Sequence, residues 1–327
     1  MKRAFVLALV TSLACIGVGL LFRPKERLPL ETEPFAMEQR TTEPSDNAAE
    51  TLDGALLLRV LRDDGTVEQM SLGRYLPGVL LGEMPASFEP EAKLAQAVVS
   101  RTYALHRRRS GKHPEADVCV NASCCQAWVD PDTCPPEAVE AAKAAVEETD
   151  GLVLVYDGRL IDATFFSCSG GRTEDAVAVW GSDVPYLQAV DSAGENAPYD
   201  EDTAVFSPEE FSALIREEAP EAILSGGCQN WFGNVTYTEG GGVDQMEIGG
   251  VSFTGKTLRG LLGLRSTAFT VETQPGQILF HTRGYGHRVG MSQYGAQAMA
   301  QAGNSFEEIL NHYYTGVSLN YYIDVIE

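Results

Sequence analysis

The segment EPEAKLAQAVVSRTYALHRRR, residues Glu89–Arg109, predicts a long helix. It is rich in alanine, and Ala92, Ala95, Val99 and Tyr103 recur near helical spacing. The elements on either side of this helix decide the class of fold.

Strands and a second helix flank this segment. Ala55–Leu61 predicts a strand upstream, and Pro136–Thr149 predicts a helix downstream. Leu152–Tyr156 and Leu160–Phe166 lie on either side of an Asp-Gly dipeptide at positions 157–158. This pattern predicts a β-hairpin, because Asp-Gly adopts the tight turn that antiparallel strands require.

The C-terminal half continues the mixture. Ser207 and Ser305 each begin a capping box, which predicts that a helix follows. Trp231–Glu247 and Phe269–His281 are rich in strand formers, and three glycines at 240–242 predict a turn. The irregular order favours an α+β fold with antiparallel hairpins over a doubly wound sheet. We expect one globular region, built as a single body or as two lobes.

Composition excludes several classes of protein. The chain has 327 residues, of which 44% are hydrophobic and 21% are charged, so it is neither fully disordered nor a disulfide-stapled miniprotein. Its formal net charge is −22, and its largest basic cluster is Arg107–Arg109. Such a surface repels nucleic acid, which we exclude as a partner.

The N-terminus predicts export of the globular region. Ala4–Phe22 has 19 residues without a charge, enough for a membrane-spanning helix. A cleaved signal peptide is the alternative, but Arg23-Pro24-Lys25 is a poor neighbourhood for cleavage, so an anchor is favoured. We therefore predict an N-terminal tip and anchor at 1–30, a flexible acidic tether at 31–53 and the globular region at 54–327, outside the cytoplasm.

The first candidate for chemistry is Glu83, in the segment GEMPASF at residues 82–88. It lies at the edge of an apolar stretch, and burial would raise the pKa of its carboxyl group, as a general acid requires. The alternative is a glutamate at a helix end, exposed to water.

The second candidate is the segment GYGHRVGMSQYGA, residues 284–296. Its four glycines allow the backbone to approach a ligand closely, and His287, Ser292, Gln293 and Tyr294 add polar and aromatic groups. The alternatives are that Ser292 only caps a helix and that His287 only bonds a loop carbonyl.

The third candidate is the segment SCSGGRT at residues 167–173, in which Ser167 and Ser169 could line a cleft or form a turn. It does not fit the Gly-x-Ser-x-Gly pattern of a nucleophile elbow. The chain also lacks a P-loop, a His-Glu-x-x-His motif and a nucleotide fingerprint, which argues against phosphoryl transfer and zincin chemistry.

Six cysteines lie outside the apolar N-terminal run. Disulfides are the default in an exported chain, but four of the six fall within sixteen residues, close to two histidines, which also permits zinc. The six are Cys119, Cys124, Cys125, Cys134, Cys168 and Cys228.

Taken together, these segments resemble the stage II sporulation protein D family, the peptidoglycan lytic transglycosylases of spore-forming bacteria. The resemblance spans about Leu52 to Leu319, nearly the whole globular region. The matching segments, in family order, are GEMPASF, AVVSRTYAL, DVCVNASCCQAW, FFSCSGGRTEDAVAVWGSDVPYLQAVDS, GYGHRVGMSQYGAQAMA and EILNHYYTGVSL.

The resemblance implies an enzyme that cleaves the bond between N-acetylmuramic acid and N-acetylglucosamine without water. The 6-hydroxyl of the muramyl sugar attacks its own anomeric carbon, so one carboxyl group suffices as acid and base. This role falls to Glu83. The residues expected to shape the glycan cleft are Arg101, Ser167, Ser169, His287, Ser292, Gln293 and Tyr294.

Three departures from the family pattern concern the candidate sites. Arg288 follows His287 where the family usually has glycine, and Lys93 lies one position before the usual lysine. Cys124 stands where members that bind zinc have a histidine, so the resemblance implies Cys119 and Cys124 as ligands of a structural zinc. Catalysis itself requires no cofactor.

The resemblance also implies partners and a setting. The expected partners are peptidoglycan glycan strands and a sporulation wall amidase or endopeptidase similar to stage II sporulation protein P, with other membrane proteins of forespore engulfment. Relatives include enhancers of a wall amidase, so the alternative function is a non-enzymatic glycan-binding enhancer. A vegetative role in wall remodelling is a third interpretation.

Overall fold

The computed structural model describes residues 51–198 and 200–325. Within these residues the protein is a mixed α+β structure of helices and mainly antiparallel sheets, as the sequence predicts. None of its helices is both long and apolar enough to span a membrane. The predicted anchor and most of the predicted tether lie outside the described residues.

The first half of the globular region supplies most of the long helices. Its elements are α1 (Leu52–Ala55), β1 (Leu57–Leu61), β2 (Val67–Ser71), α2 (Leu72–Glu83), α3 (Pro90–Ser110), β3 (Val118–Cys119), α4 (Pro136–Glu148), β4 (Leu152–Tyr156), β5 (Arg159–Leu160) and β6 (Phe165–Phe166).

The second half supplies most of the strands. Its elements are α5 (Ala176–Trp180), β7 (Glu201–Phe206), α6 (Pro208–Glu218), β8 (Phe232–Tyr237), β9 (Val243–Ile248), β10 (Val251–Thr254), α7 (Gly255–Leu261), β11 (Phe269–Gln274), β12 (Gln277–Arg283), β13 (Met291–Ser292), α8 (Gln293–Gln301), α9 (Phe306–Tyr313) and β14 (Ser318–Tyr321).

Helix α3 is the predicted central helix, and it begins and ends as its sequence indicates. Pro90 occupies the first turn, where its missing N–H costs nothing, and Gly111 caps the C-terminus with a left-handed φ of 63°. Its faces pack against α2, α4, α8, α9 and β4. Ala97 and Tyr103 lie in one hydrophobic core, and Ala95 and Val99 lie in a second.

Residues 201–283, here called the β-lobe, enclose a third hydrophobic core. The antiparallel sheets β8–β9–β10 and β11–β12–β7 enclose it together with α6 and α7. Phe211, Trp231 and Phe280 are among its buried aromatic residues. The expectation of two lobes therefore describes the fold better than that of a single body.

The chain returns from the β-lobe to the helical region through residues 284–292. Strand β13 pairs in parallel with β6, with Met291 opposite Phe165 and Ser292 opposite Phe166. This pairing places the glycine-rich segment beside the segment that begins at Ser167, so two of the three candidate segments become neighbours.

The last two residues of the predicted tether, positions 52 and 53, belong to the fold. Leu52 and Asp53 belong to α1, and Asp53 is buried against Arg101. Both residues therefore belong to the folded region and not to the tether.

Candidate active site

Glu83 is the last residue of α2 and is partly buried. Its Oε1 accepts a hydrogen bond of 2.6 Å from the backbone N–H of Ala127, and its Oε2 accepts one of 3.2 Å from Nε2 of Gln293. Gly82 makes the first contact possible, because a Cβ at this position would lie 3.0 Å from the backbone of Ala127. Two segments that are distant in sequence therefore hold one carboxyl group.

Burial raises the pKa of Glu83 from 4.5 to about 7, and the hydrogen bonds from Ala127 and Gln293 offset part of that rise. A carboxyl group with this pKa exists in both protonation states near neutral pH. It can donate a proton and then recover one, as the sequence predicts for a general acid and base.

Glu83 lines a cleft with a volume of about 400 Å³. The cleft combines aromatic, cationic and amide side chains, a composition suited to an extended polar ligand. Its other lining residues are Tyr103, Arg107, Lys112, Ala122, Ser123, Cys124, Cys125, Asp162, Thr164, Phe165, Phe166, Ser167, Trp180, Gly286, His287 and Gln293.

Asp162 is the other carboxylate that lines the cleft among the described residues. Its two oxygens accept hydrogen bonds of 2.8 and 2.9 Å from Nη2 of Arg107, whose guanidinium group lies 4.6 Å above the ring of Tyr103. Asp162 is therefore engaged in an ion pair, whereas a backbone N–H and an amide group hold Glu83.

His287 lines the cleft between two aromatic rings. Its ring centroid lies 5.6 Å from that of Phe166 and 5.5 Å from that of Trp180. Its Nδ1 accepts a hydrogen bond of 3.2 Å from the backbone N–H of Val289, and burial, with a smaller contribution from the charge of Arg259, lowers its pKa to about 4. A neutral, backbone-bonded imidazole is a poor proton donor at neutral pH, so His287 lines the cleft as an aromatic and hydrogen-bonding group.

Gln293 is the other residue of the glycine-rich segment that reaches the cleft with its side chain, through its bond to Glu83. Ser292 is fully buried and acts as the N-cap of α8: its Oγ accepts from the N–H of Gly295 and donates to Glu195 at 3.0 Å. Tyr294 is also buried, with its ring edge-on to Phe88 at 5.0 Å. We therefore assign Ser292 and Tyr294 to the scaffold and not to the cleft.

The two candidate serines of the third segment differ in whether they reach the cleft. Ser167 lines the cleft, whereas Ser169 is fully buried and its Oγ accepts a hydrogen bond of 3.2 Å from the N–H of Gly171. Ser169 therefore forms the turn that the sequence allowed as the alternative.

Arg101 does not contact the cleft, in contrast to the expectation from sequence. Its guanidinium group is fully buried and pairs with Asp53 at 2.6 Å, and it also donates to the carbonyl oxygens of Val146 and Leu152. The side chain thus joins α3 to α1, α4 and β4. We correct its role from glycan contact to structural ion pair.

Sequence reasoning missed several cleft residues that carry no motif of their own. Trp180, which is 40% exposed, lies at the end of the short helix α5, and Tyr103 and Arg107 lie one turn apart on α3. An exposed tryptophan is unusual enough to serve as a signal for a binding surface. Arg107 and Tyr103 gave no such signal, because Asp162 and Phe165, which contact them, lie far along the chain.

Four side chains at the edge of the cleft could hold a metal ion. The ligand atoms of His113, Cys119, Cys124 and Cys125 all lie within 4.8 Å of one another. Cys119, Cys124 and Cys125 are free thiols in this structure. Three thiolates and one imidazole form one of the common tetrahedral ligand sets of structural zinc. The sequence-based prediction named Cys119 and Cys124, and the structure adds two neighbours to them.

Comparison with known proteins places this arrangement in a class. The family model described as "Stage II sporulation protein" matches residues 62–156, which contain Glu83, α3 and the cysteine cluster. The class is that of the stage II sporulation proteins.

Two curated relatives specify the family further. "Stage II sporulation protein D" of Bacillus amyloliquefaciens is 33% identical over 315 residues, which cover 92% of this chain and 90% of the relative. The protein of the same name from Bacillus subtilis (strain 168) is 32% identical over 307 residues, which cover 89% of this chain and 86% of the relative. The chain belongs to the stage II sporulation protein D family, as the sequence motifs predict.

A third relative carries a different name. The "Amidase enhancer" of Bacillus subtilis (strain 168) is 30% identical over 299 residues, which cover 76% of this chain and 40% of that protein. Two differently named kinds of protein are therefore similar in sequence to this chain.

Proposed function

We propose that this protein is a lytic transglycosylase that cleaves the bond between N-acetylmuramic acid and N-acetylglucosamine in peptidoglycan. The observation that carries the proposal is the carboxyl group of Glu83, which lies in a sugar-sized cleft with a pKa raised to about 7. Its neighbour Asp162 is neutralised by Arg107 and is not needed for this chemistry.

The reaction needs one proton to move twice. Protonated Glu83 gives its proton to the glycosidic oxygen, and the bond from that oxygen to the anomeric carbon of the muramyl sugar breaks, with its electron pair staying on the oxygen. The 6-hydroxyl oxygen of the same sugar bonds to the anomeric carbon, and its proton passes to the Glu83 carboxylate. The products are a 1,6-anhydro end and a free 4-hydroxyl, and no water is consumed.

Intramolecular attack explains why one carboxyl group suffices. A hydroxyl that is already attached to the reacting sugar has a high effective concentration, so the enzyme needs neither a nucleophile nor an activated water. Ordinary glycosidases use a pair of carboxyl groups for these two roles. Ala127 and Gln293 hold the Glu83 carboxyl group in place, so its orientation is fixed before the substrate binds.

The test is mass spectrometry of purified glycan strands after incubation with the full chain. Products lighter by one water molecule than the hydrolysis products would support the transglycosylase, and reducing ends would assign a muramidase instead. Glu83→Gln is the inactive control, because it preserves the shape of the side chain.

A second function is favoured by one specific observation, the relative named "Amidase enhancer". On this alternative the cleft binds glycan and presents it to a separate wall amidase. The same incubation distinguishes the two functions. An enhancer would leave the strands intact when it is incubated alone, and both the wild-type chain and the Glu83→Gln variant would accelerate a purified wall amidase.

We also propose that His113, Cys119, Cys124 and Cys125 hold a structural zinc ion. The ligand set is closed, so the metal would serve as a crosslink and would offer no open position to a substrate. The crosslinked segment precedes Ala127, whose N–H bonds Glu83, so fixing the segment would fix the acid.

Elemental analysis of the full chain, purified without chelator, tests the zinc proposal. We expect about one zinc per chain, lost in Cys119→Ser and retained in Cys228→Ser, which alters a free thiol in the β-lobe. Absence of zinc together with free thiols at Cys119, Cys124 and Cys125 would reject both the metal and a disulfide at this cluster.

We further propose that residues 4–22 anchor the chain, with the globular region outside the cytoplasm, where it remodels wall glycan during forespore engulfment. The uncharged N-terminal run and the names of the relatives support this setting. A wall amidase or endopeptidase similar to stage II sporulation protein P is the proposed partner. Protease added to intact protoplasts should digest the globular region; full protection would contradict the proposed topology.

A further inference from the structure

Arg288 adopts a backbone conformation that side chains rarely occupy. Its φ is 69°, and among the described non-glycine residues only Asp157 also has a positive φ, in the tight turn of a hairpin. Gly286 and Gly290, on either side of Arg288, have φ values of 123° and 82°. A residue with a Cβ persists in this region only where its surroundings determine its position.

The surroundings of Arg288 are a buried network. Its guanidinium group is fully buried, with Nη1 3.2 Å from Oε1 of Glu174, which is also buried. Its Nη2 donates to the carbonyl oxygens of Gly240, at 2.6 Å, and Arg172, at 2.8 Å. The charge of Arg288 is therefore matched by one carboxylate and two carbonyl groups.

The other partners of Glu174 belong to the β-lobe. Its Oε1 also accepts hydrogen bonds of 3.0 Å from the N–H of Gly242 and 2.9 Å from Oγ1 of Thr238. A side chain at Gly240 or Gly242 would overlap the Glu174 carboxylate, so the turn between β8 and β9 requires glycine at both positions. The glycine run at 240–242, which predicts a turn, therefore also contacts the buried Arg288–Glu174 ion pair.

The same ion pair adjoins two cleft residues through the backbone. The N–H of Glu174 donates to the carbonyl oxygen of Arg288 at 2.6 Å, and His287 is the preceding residue. On the other side, Glu174 precedes Asp175, the N-cap of α5, and α5 ends at Trp180. The rings of His287 and Trp180 contact each other at the cleft.

We propose that the Arg288–Glu174 pair, held by residues 238–242 of the β-lobe, is a positioning element that fixes His287 and Trp180 in the cleft wall. The inference rests on the proposed function for its effect on glycan, but not for its effect on the free chain. The β-lobe, which contributes no residue to the cleft lining described above, would thereby act on glycan binding through the pair.

Two variants of the full chain test this proposal. Glu174→Gln removes the charge of the carboxylate, and Thr238→Val removes one hydrogen bond to it from within the β-lobe. Asp53→Asn is the matched control, because Asp53–Arg101 is also a fully buried carboxylate–guanidinium pair but lies away from the cleft. If Glu174→Gln does not fold, Thr238→Val decides the outcome.

The first readout uses the free chain, labelled with 5-fluorotryptophan. The chain has three tryptophans, so three ¹⁹F resonances are expected, and Trp180→Phe assigns that of Trp180. We expect Glu174→Gln and Thr238→Val to shift the Trp180 resonance and leave that of Trp128 unchanged, and Asp53→Asn to lower only the melting temperature. An unmoved Trp180 resonance in a folded Thr238→Val chain would overturn the proposal.

The second readout is the kinetics on isolated glycan. A displaced wall should raise KM by about twofold to twelvefold, the range of one lost aromatic contact, while kcat stays within about twofold. If the wild-type chain shows no turnover but the ¹⁹F shifts occur, the proposed function fails and the positioning role stands. If KM is unchanged in a variant whose Trp180 resonance has moved, the link from the pair to glycan binding is refuted.

Discussion

The two walls of the cleft differ in the chemistry they present. The wall from the first half of the globular region carries the groups with charge or a proton to give, such as Glu83, Arg107 and Asp162. The wall from the C-terminal half carries rings and amides, such as Trp180 and Gln293, and its histidine is neutral. The difference suggests that one wall performs the reaction and the other holds the sugar, and each prediction below tests that division.

The largest effect is expected for Glu83→Gln. The amide cannot transfer a proton, so kcat should fall by about 100-fold to 10,000-fold, the usual contribution of general acid–base catalysis, with KM unchanged. Turnover of isolated glycan measures it. A variant that keeps a tenth of the wild-type rate would refute the role of Glu83.

One control accompanies this variant. Asp162→Asn, in the same cleft, should retain kcat, because the carboxylate of Asp162 is bound to Arg107.

The stability of Glu83→Gln should depend on pH differently from that of the wild type. Because the folded pKa of Glu83 is raised, the stability that its protonated carboxyl group contributes is present below pH 4.5 and is lost as the pH rises through about 7. At pH 8 the Glu83→Gln variant should therefore be more stable than the wild type. Thermal melts of the variant and the wild type, below pH 4.5 and at pH 8, check the sign of this stability difference.

The pH dependence of the wild type is the second prediction. Glu83 must carry its proton at the start of the cycle, and burial raises its pKa to about 7. We therefore expect kcat/KM to fall about tenfold per pH unit above this value. A profile that stays level from pH 6 to 9 would mean that another group supplies the proton.

Trp180→Ala should give a smaller effect, and on binding instead of chemistry. Loss of the ring removes a stacking surface at the cleft, so KM should rise by about twofold to twelvefold with kcat nearly constant. Trp180→Phe should restore most of the affinity. Val177→Ala, on the same exposed helix, is the control and should leave KM unchanged; a fall in kcat in Trp180→Ala would break the division between the walls.

Gln293→Leu is expected to give the smallest effect, because it removes one hydrogen bond across the two walls. That bond lowers the pKa of Glu83, so its loss should move the descending limb of the pH profile to higher pH. The plateau rate should fall by only about twofold to fivefold. Gln297→Leu, one turn further along α8, is the control, since Gln297 bonds the backbone of Glu89 outside the cleft.

Local patterns gave the parts of the fold that local physics determines. The α3 helix and both capping boxes lie where the sequence predicts, because each depends on residues within a few positions of one another. The Asp-Gly turn forms as predicted, but the second strand of its hairpin is only Arg159–Leu160, since Phe165–Phe166 pairs with β13 instead. The sequence analysis names a helix end at Glu83 only as an alternative, and the structure shows helix α2 ending there, with Pro77 inside it and most of its residues buried. Glu83 was found through its apolar neighbourhood, which the structure reproduces.

The rest of the site depends on contacts that sequence spacing does not show. Arg101 has the residue type of a substrate contact, and only the fold shows that Asp53 neutralises it in the core. Ser292 and Tyr294 share a motif with His287 and Gln293, but the start of α8 turns the first pair inward. A motif identifies a segment, whereas the backbone decides which of its side chains face the ligand.

The bond between Gln293 and Glu83 joins positions that are 210 residues apart in the chain. During synthesis from the N-terminus, Glu83 leaves the ribosome long before its amide partner exists. Strand β6 likewise cannot pair with β13 until that later part of the chain has been synthesised. Contacts of such long range slow folding, because a long loop must close before they can form. A ribosome that stalls before Gln293 therefore releases a chain that carries the glutamate but lacks the completed cleft, so chain completion itself limits when this site can act.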